Sequence, residues 1–466
     1  MTTNQGISPE TTQENIMERP NYGAIMFFMA RYRMKYVAIL AVALPVSVLE
    51  GVGIVAFLPL FAELLGNTSE TGGGFAGFAI NLAEIIPVGS PFLASVLLLI
   101  GVFTAKTLGI LARDLLMGYT GAKILYEVKR EIMERYSNAE YQFMLDSQQG
   151  SLIYVGLAAP NAVTNLHLAL LRGVMAALKM VAIGLVLISL LPFVALAFMG
   201  LGLTYYLDIS FLSKRVSYRI GQGRVVALSR MNIISNEFLN GFRQIITFNA
   251  AKRWVSNFDR ENRIYSELYA KDLALNSVPR PLLEFSVLGL LLGSVFILKT
   301  ASPGTFAENL STLGVFAVAV VQVLPSLSAF GGTRLQMMNF LPGVQISYRV
   351  LTQAVPVRNG GHLELPSFED KIAFEAVSFA HRNRETLMDK ITMSFEKGKV
   401  TAIVGPSGSG KTTLINLILG LFDPSEGAIT VDGTPLRDLT HETWLNRIGF
   451  VSQDPFITNN TIEENI

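Results

Sequence analysis

The 466-residue chain contains no cysteine, which excludes disulfides, thiolate nucleophiles and cysteine-based zinc sites. Charge is also scarce. Only 16% of residues are Asp, Glu, Lys or Arg, and 37 basic against 36 acidic residues leave a net charge of +1. That balance gives no electrostatic reason to expect nucleic acid as a partner. A soluble domain carries about 25% charged residues, whereas here half of all residues are apolar and mean hydropathy is +0.42. The composition leans towards membrane. Residues 1–20 are polar and lack the apolar run of a signal peptide, so they read as a cytoplasmic tail.

What is present in their place is a set of long apolar runs. Six fall between residues 23 and 345: 36–60, 91–113, 174–191, 193–211, 282–298 and 313–330. Most reach the roughly 17–25 residues that carry a helix across a bilayer core. A short amphipathic piece, 23–33, precedes the first and is expected to lie along the interface. Lys and Arg are absent from 66–90 and from the turn at Leu191-Pro192, and a single lysine, Lys299, marks the third such loop. By contrast, 113–135 and 214–271 are rich in basic residues. Positive charge stays on the cytoplasmic side, which places both termini in the cytoplasm. The first outer loop holds an amphipathic stretch, 75–87, suited to a short external helix.

The cytoplasmic stretches 118–147 and 213–271 have helical patterning and extend the membrane helices well past the bilayer. Two short breaks, 140–150 with Tyr141 and Phe143, and 241–248 with Phe242, put apolar side chains at the tips of helical hairpins. Such tips suit docking against another domain. Pro279 and Pro281 predict a kink in the fifth membrane helix near the cytoplasmic boundary.

Past residue 356 the composition changes. Residues 356–370 read as a linker, and 371–379 alternate apolar and polar residues as an antiparallel strand does. Further strands are expected at 392–395, 400–404, 428–431 and 447–452, with a turn at Asp432-Gly433. Between them lies Gly405-Pro406-Ser407-Gly408-Ser409-Gly410-Lys411-Thr412-Thr413, which fits the phosphate-cradling pattern G-x-x-x-x-G-K-[ST]. The glycines let successive backbone N–H groups point into one concavity, Lys411 supplies a point charge, and the Thr412 hydroxyl suits Mg²⁺. A helix expected over 413–421 offers its positive end to the phosphates. The motif predicts nucleoside triphosphate binding.

Six membrane helices with long cytoplasmic extensions, the P-loop, then Gly449-Phe-Val-Ser-Gln453-Asp-Pro-Phe456 and Thr461-Ile-Glu-Glu-Asn-Ile466 resemble an ABC transporter half of the exporter type. The phrases Asn240-Gly-Phe-Arg-Gln-Ile245 and Pro279-Arg-Pro-Leu-Leu-Glu284 are most similar to those of lipid-linked oligosaccharide and polysaccharide flippases. The resemblance implies a polytopic α-helical membrane domain over 21–355, six transmembrane helices with long cytoplasmic extensions. A partial α/β P-loop ATPase domain over 371–466 would follow it. It implies ATP and Mg²⁺ as cofactors, with ATP on 405–413, His381 at the adenine-stacking position, and Gln453 sensing the γ-phosphate and Mg²⁺ beside Thr412. Tyr141, Phe143 and Phe242 would couple the two domains. A second half-transporter, as a homodimer, membrane lipid and an amphipathic cargo are the implied partners.

The same resemblance places a signature motif, a catalytic glutamate and a switch histidine beyond Ile466, so no catalytic residue is expected within these 466 positions and the chain reads as part of a longer gene product. Ionisable residues within membrane runs are candidates for function. Lys106, Arg172, Lys179, Arg280 and Arg334 form a basic set suited to a phosphate-bearing lipid headgroup, with Glu50 and Glu284 as possible internal partners. The expected function is ATP-driven export or flipping of a lipid-linked saccharide across the bacterial cytoplasmic membrane. Peptide or multidrug export, and a nonhydrolytic ATP-binding membrane regulator, are the alternatives.

Overall fold

The computed structural model describes residues 20–57, 60, 81–82, 86–88, 90–190, 192–277, 279–301, 310–353, 355–356, 360–381, 385–453 and 457–465. They form two compact units. One, here the helical unit, holds the described residues up to Glu134 and those from Gln148 to Gln353. The other, the nucleotide unit, holds Arg135–Ser147 and the described residues after 354. The expected tail at 1–20 lies outside the described residues, Pro20 excepted.

The helical unit opens with α1 (Tyr22–Arg31) and α2 (Arg33–Val55). Asn21 caps α1 through its side-chain oxygen on the Gly23 N–H at 2.9 Å, the ordinary way to satisfy an orphan donor at a helix start. Next comes α3 (Pro91–Ser137), a single helix of 47 residues, whose last residues belong to the nucleotide unit, as does the short α4 (Tyr141–Asp146). Helix α5 (Gln149–Ile153) passes through a π turn at Tyr154–Ala158 into α6 (Ala159–Leu190). Helix α7 (Pro192–Leu212) passes through a second π turn, Ser213–Ser217, into α8 (Tyr218–Asn240). Then follow α9 (Phe242–Thr247), α10 (Ala251–Ser277), α11 (Pro279–Ala301) and α12 (Leu310–Thr352).

Six of these helices answer the six apolar runs. Among the described residues, Arg33–Val55, Pro91–Ser137 and Gln149–Ser189 are long and apolar enough to cross a membrane; α7, α11 and α12 are the other long apolar helices, of 21, 23 and 43 residues. Their outward faces carry bare apolar side chains such as Leu108, Leu115, Leu292, Phe285 and Phe296, a surface that water would not tolerate at this extent. Pro279 stands at the first position of α11, where its missing N–H costs nothing, so the expected kink inside a helix is instead a helix start. Most of the expected outer helix, 75–87, lies outside the described residues; Leu82 and Ile86 pack on Ala56, Leu98 and Val102.

Helix α6 lies against α2 and α12, and α8 against α10 and α12. Close approach is set by small residues. A Cβ on Gly221 would lie 2.1 Å from the Asn339 carbonyl oxygen, and one on Gly150 would lie 2.4 Å from the Ile233 Cα, so no side chain fits at either position. Arg224 ties α8 to α10 by an ion pair with Asp272 at 2.9 Å, its guanidinium facing the parallel rings of Tyr265 and Tyr269.

The nucleotide unit is built on β1 (Lys371–Ala380), β2 (Thr386–Glu396), β3 (Glu426–Val431) and β4 (Thr434–Pro435), in the order β2-β1-β3-β4 with every pairing antiparallel. The alternation in β1 puts Phe374 between Met393 and Ile429 and buries it with Val377, Phe379 and Met388 against Leu414 and Leu417 of α13 (Lys411–Ile418), and against Phe422 and Ile429. Each large side chain so buried stabilises by about 1.5–3 kcal/mol. A second cluster joins Leu365, Val431, Leu439 and Trp444 of α14 (His441–Leu445), and the Trp444 indole N–H donates to the Ile418 carbonyl at 2.8 Å. Within the stretch read as a linker, Leu363 bridges Leu439 in parallel.

Three strand expectations change. The strand at 392–395 is the end of the longer β2. Residues 400–404 and 447–452 form no ladder, and Val400 and Val404 are fully exposed. A P-loop strand takes its place between parallel neighbours; the described strands pair only antiparallel.

The Asp432-Gly433 turn forms as expected, with positive φ at both residues. The Asp432 carboxylate accepts the backbone N–H groups of Glu369, Asp370 and Lys371 at 2.6, 2.8 and 2.9 Å. Burial pushes its pKa up, but these three donors outweigh that and hold it below the usual carboxylate range. Its contribution is therefore complete above the unfolded pKa of roughly 4 and is lost as pH falls through the depressed folded value. Asp432→Asn, which keeps the αL preference, should lower the unfolding temperature at pH 7 and shrink the loss of stability between pH 5 and 3, measured by thermal unfolding in detergent. An unchanged acid profile would assign the loss to other groups.

Candidate functional site

The P-loop is a coil between the exposed 400–404 segment and α13. Gly408 and Gly410 take φ of 84° and 88°, the left-handed region that glycine enters without steric cost, and Gly410 serves as the N-cap of α13. A Cβ on Gly405 would lie 2.7 Å from the Ser409 Oγ, so the loop closes on itself tightly. The Lys411 ammonium curls back to donate to the carbonyls of Gly405 and Pro406 at 2.8 and 2.7 Å. Its charge is thus held at the loop mouth by two weak acceptors that an incoming phosphate would outcompete. Thr412 is exposed and Thr413 buried.

His381 follows directly after β1. Its ring stands edge-on to Phe379 (5.0 Å, 84°) and to Phe422 (5.3 Å, 87°). Nδ1 lies 3.5 Å from Gln142 Oε1, and since the Gln142 amide nitrogen donates to Asp146 at 2.8 Å, the proton is assigned to Nδ1. Tyr141 of α4 also packs on Phe422, ring centroids 5.5 Å apart. The nucleotide unit thereby joins His381, Phe422, Tyr141 and Gln142 over the core that holds α13. Gln142 and Phe422 carry no sequence motif and were not foreseen. Phe143 is half-buried in α4, and Gln453 is exposed on a bend; neither is brought to the P-loop by a described contact. Phe242, in the helical unit, is half-exposed at the tip of α9 against Phe238.

The five basic candidates separate. Lys179 forms an ion pair with the buried Glu50 at 3.1 Å. Both line a cleft of ≈ 530 Å³ with Arg113, Asp114 and Arg172, and Lys106 lies within electrostatic reach of Glu50 and Lys179 with its ammonium over Phe103. Arg280 is exposed and pairs with Glu284 one turn on. Arg334 sits apart, bonded to the Tyr206 hydroxyl at 3.3 Å. Within this chain Lys179 pairs with Glu50, Arg172 shares their cleft and Lys106 lies near both, while Arg280 and Arg334 have other partners.

The family profile described as ABC transporter matches residues 388–465. The chain resembles a solved bacterial Atm1-family ABC exporter with ATP bound, at TM-score 0.70 and 18% identity, over 93% of this chain and 73% of that one. Residues 388–465 thus carry an ABC transporter sequence, and the chain has the fold of an ABC exporter. Among curated relatives, the chain is 24% identical over 375 residues to an ABC transporter ATP-binding protein, y4gM, of Sinorhizobium fredii, covering 78% of this chain and 62% of the relative. It is 30% identical over 238 residues to an ATP-dependent lipid A-core flippase of Desulfotalea psychrophila, covering 50% of this chain and 40% of the relative. It thus spans about two fifths to three fifths of the length of these relatives.

A buried pair is attractive only while both members remain. Lys179→Met alone should destabilise the protein by about 3 kcal/mol, and adding Glu50→Gln should restore most of it. A thermal-unfolding double-mutant cycle measures this; strictly additive losses would show that the two groups do not act as a pair.

Proposed function

We propose that the whole protein is an ATP-driven exporter that moves an amphipathic, lipid-linked saccharide across the bacterial cytoplasmic membrane as a homodimer. In this reading, 21–355 is the membrane domain, 356–370 the linker and 371–466 the first part of the nucleotide domain, with both termini in the cytoplasm. The observation that carries it is the P-loop: a glycine-built nest at the start of α13 with the Lys411 charge at its mouth. The residues present fit a triphosphate. Gly405, Pro406, Ser407, Gly408, Ser409, Gly410, Lys411, Thr412 and Thr413 would hold its phosphates, with Thr412 and Gln453 on Mg²⁺ and His381 against the adenine. Bound ATP supplies a charged load that Lys411 neutralises and whose cleavage makes the cycle directional.

His381 is where nucleotide occupancy would reach the membrane domain. A base stacking on its ring perturbs contacts that also hold Phe422 and Gln142, and α4 carries Gln142 and Tyr141 on a helix covalently continuous with the α3 span. Tyr141 and Phe143 thus serve one coupling tip and Phe242 the other. The Lys106, Arg172 and Lys179 group is read as the cargo's phosphate subsite, Glu50 neutralising one charge so that the cleft keeps a modest positive excess. The likeness to the lipid A-core flippase of Desulfotalea psychrophila supports an amphipathic anionic cargo.

In proteoliposomes of the whole protein, ATP should drive flipping of a fluorescent polyprenyl-pyrophosphate saccharide. Lys411→Ala should abolish ATP binding and flipping together. His381→Tyr, with its larger stacking face, should tighten ATP binding about three- to tenfold, read by fluorescent-nucleotide titration. Flipping that persists in Lys411→Ala would refute the reading.

A further inference from the structure

We propose that α6, α7 and α12 hold one anionic phospholipid, its acyl chain in an apolar groove and its phosphate on the Arg334 guanidinium. This rests on the bundle lying in a membrane, not on the cargo assigned to the cleft.

The groove, ≈ 300 Å³, is lined by Met180, Gly184 and Leu187 of α6, Leu203 of α7, and Leu327 and Phe330 of α12. It uses other faces of α6 and α12 than the charged cleft does, which takes Arg172, Met175, Lys179 and Ser326. At 100° per residue the two sets lie roughly a quarter to a third of a turn apart around each helix. The groove is open beside Gly184, where a Cβ would meet nothing within 4 Å.

The groove ends at a charge. Val323, Leu327, Phe330 and Arg334 follow at steps of four, three and four, one stripe of α12, so the guanidinium stands one turn beyond the last groove ring. Tyr206 closes the same end, its ring 5.4 Å from Phe330 and its hydroxyl accepting from Arg334 Nη1 at 3.3 Å. Among the described residues no carboxylate pairs with Arg334, and its Nε is buried without a hydrogen-bond partner. The hydroxyl of Tyr205, next to Tyr206 and facing Gly331, is likewise buried and unpartnered. Arginine cannot shed its proton, and an unpaired guanidinium among membrane helices is costly. Tyr206 is 14 residues along α7 from Pro192, roughly 21 Å at 1.5 Å per residue, deep enough for the groove to run beside a lipid tail. A phosphodiester supplies the missing charge and a two-pronged acceptor for the guanidinium fork. A free phosphate would use the charge and leave the groove empty, so a lipid is the ligand that satisfies both features.

Native mass spectrometry of the protein released from detergent, titrated with dioleoyl phosphatidylglycerol or dioleoyl phosphatidylcholine, reads this directly. One phosphatidylglycerol per chain should be retained in preference to phosphatidylcholine. Arg334→Gln should weaken phosphatidylglycerol retention about tenfold and leave phosphatidylcholine unchanged. Tyr206→Phe should weaken it about threefold, and Gly184→Phe, which fills the groove, should reduce both lipids, while Gly184→Ala should behave as the parent. Equal retention by the parent, Arg334→Gln and Gly184→Phe overturns the site. If Arg334→Gln does not yield folded protein, unchanged retention in Tyr206→Phe and Gly184→Phe overturns it equally. Loss of phosphatidylglycerol in Lys179→Gln but not in the groove variants would move the lipid to the cleft and overturn the groove. Failed saccharide flipping with selective phosphatidylglycerol retention would refute the cargo reading and leave this site standing.

Discussion

The small apolar core beneath α13 is the constraint on which the nucleotide unit depends. Leu414 and Leu417 fix the helix, and so the direction in which its first N–H groups point, by packing on Phe374, Val377 and Phe379 of an antiparallel sheet. Phe422 closes that core at its rim, and the rim is where His381 and Tyr141 rest. One phenyl ring therefore touches both His381 and Tyr141 within the same unit. Packing at native density transmits displacement rather than absorbing it, so a change at His381 that moves Phe422 also reaches Tyr141.

In the helical unit the governing term is the cost of charge away from water. Glu50 and Lys179 meet that cost by pairing, and Arg280 by pairing with Glu284 at an exposed position. Arg334 meets it only in part, through Tyr206. The unequal way these charges are satisfied separates them into a charged cleft, a surface pair and the end of an apolar groove, although as a list of basic residues they look alike. Mechanistic consequence follows from partner and depth.

The sequence made the membrane helices legible because length and hydropathy alone decide them, and the P-loop because its glycines, lysine and hydroxyl are spaced by the phosphates they cradle. The antiparallel strand β1 announced itself by alternation, and β3 was expected beside the Asp432-Gly433 turn. The segments 400–404 and 447–452 also read as strands, since local pattern reports apolar content but not whether a neighbour is there to pair with. The partners of the basic set were not legible for a related reason. Helical periodicity places Arg334 on a stripe of α12, but which charge meets which carboxylate depends on contacts between helices far apart in sequence, as with Glu50 and Lys179. Gln142 beside His381 is the same case, a pairing across 239 positions with no motif to signal it.

The link between the nucleotide and α4 is the claim on which the functional reading turns, and hydrogen exchange tests it most directly. Backbone amides of Tyr141–Asp146 would be followed by mass spectrometry in the membrane-reconstituted protein, with and without ATP, and again in Lys411→Ala. If nucleotide occupancy passes through His381 and Phe422, ATP should change protection in α4 in the parent protein and leave it unchanged in Lys411→Ala. The same protection in α4 with and without ATP, under conditions where binding is verified, would show that occupancy of the P-loop does not reach the coupling helix by this route.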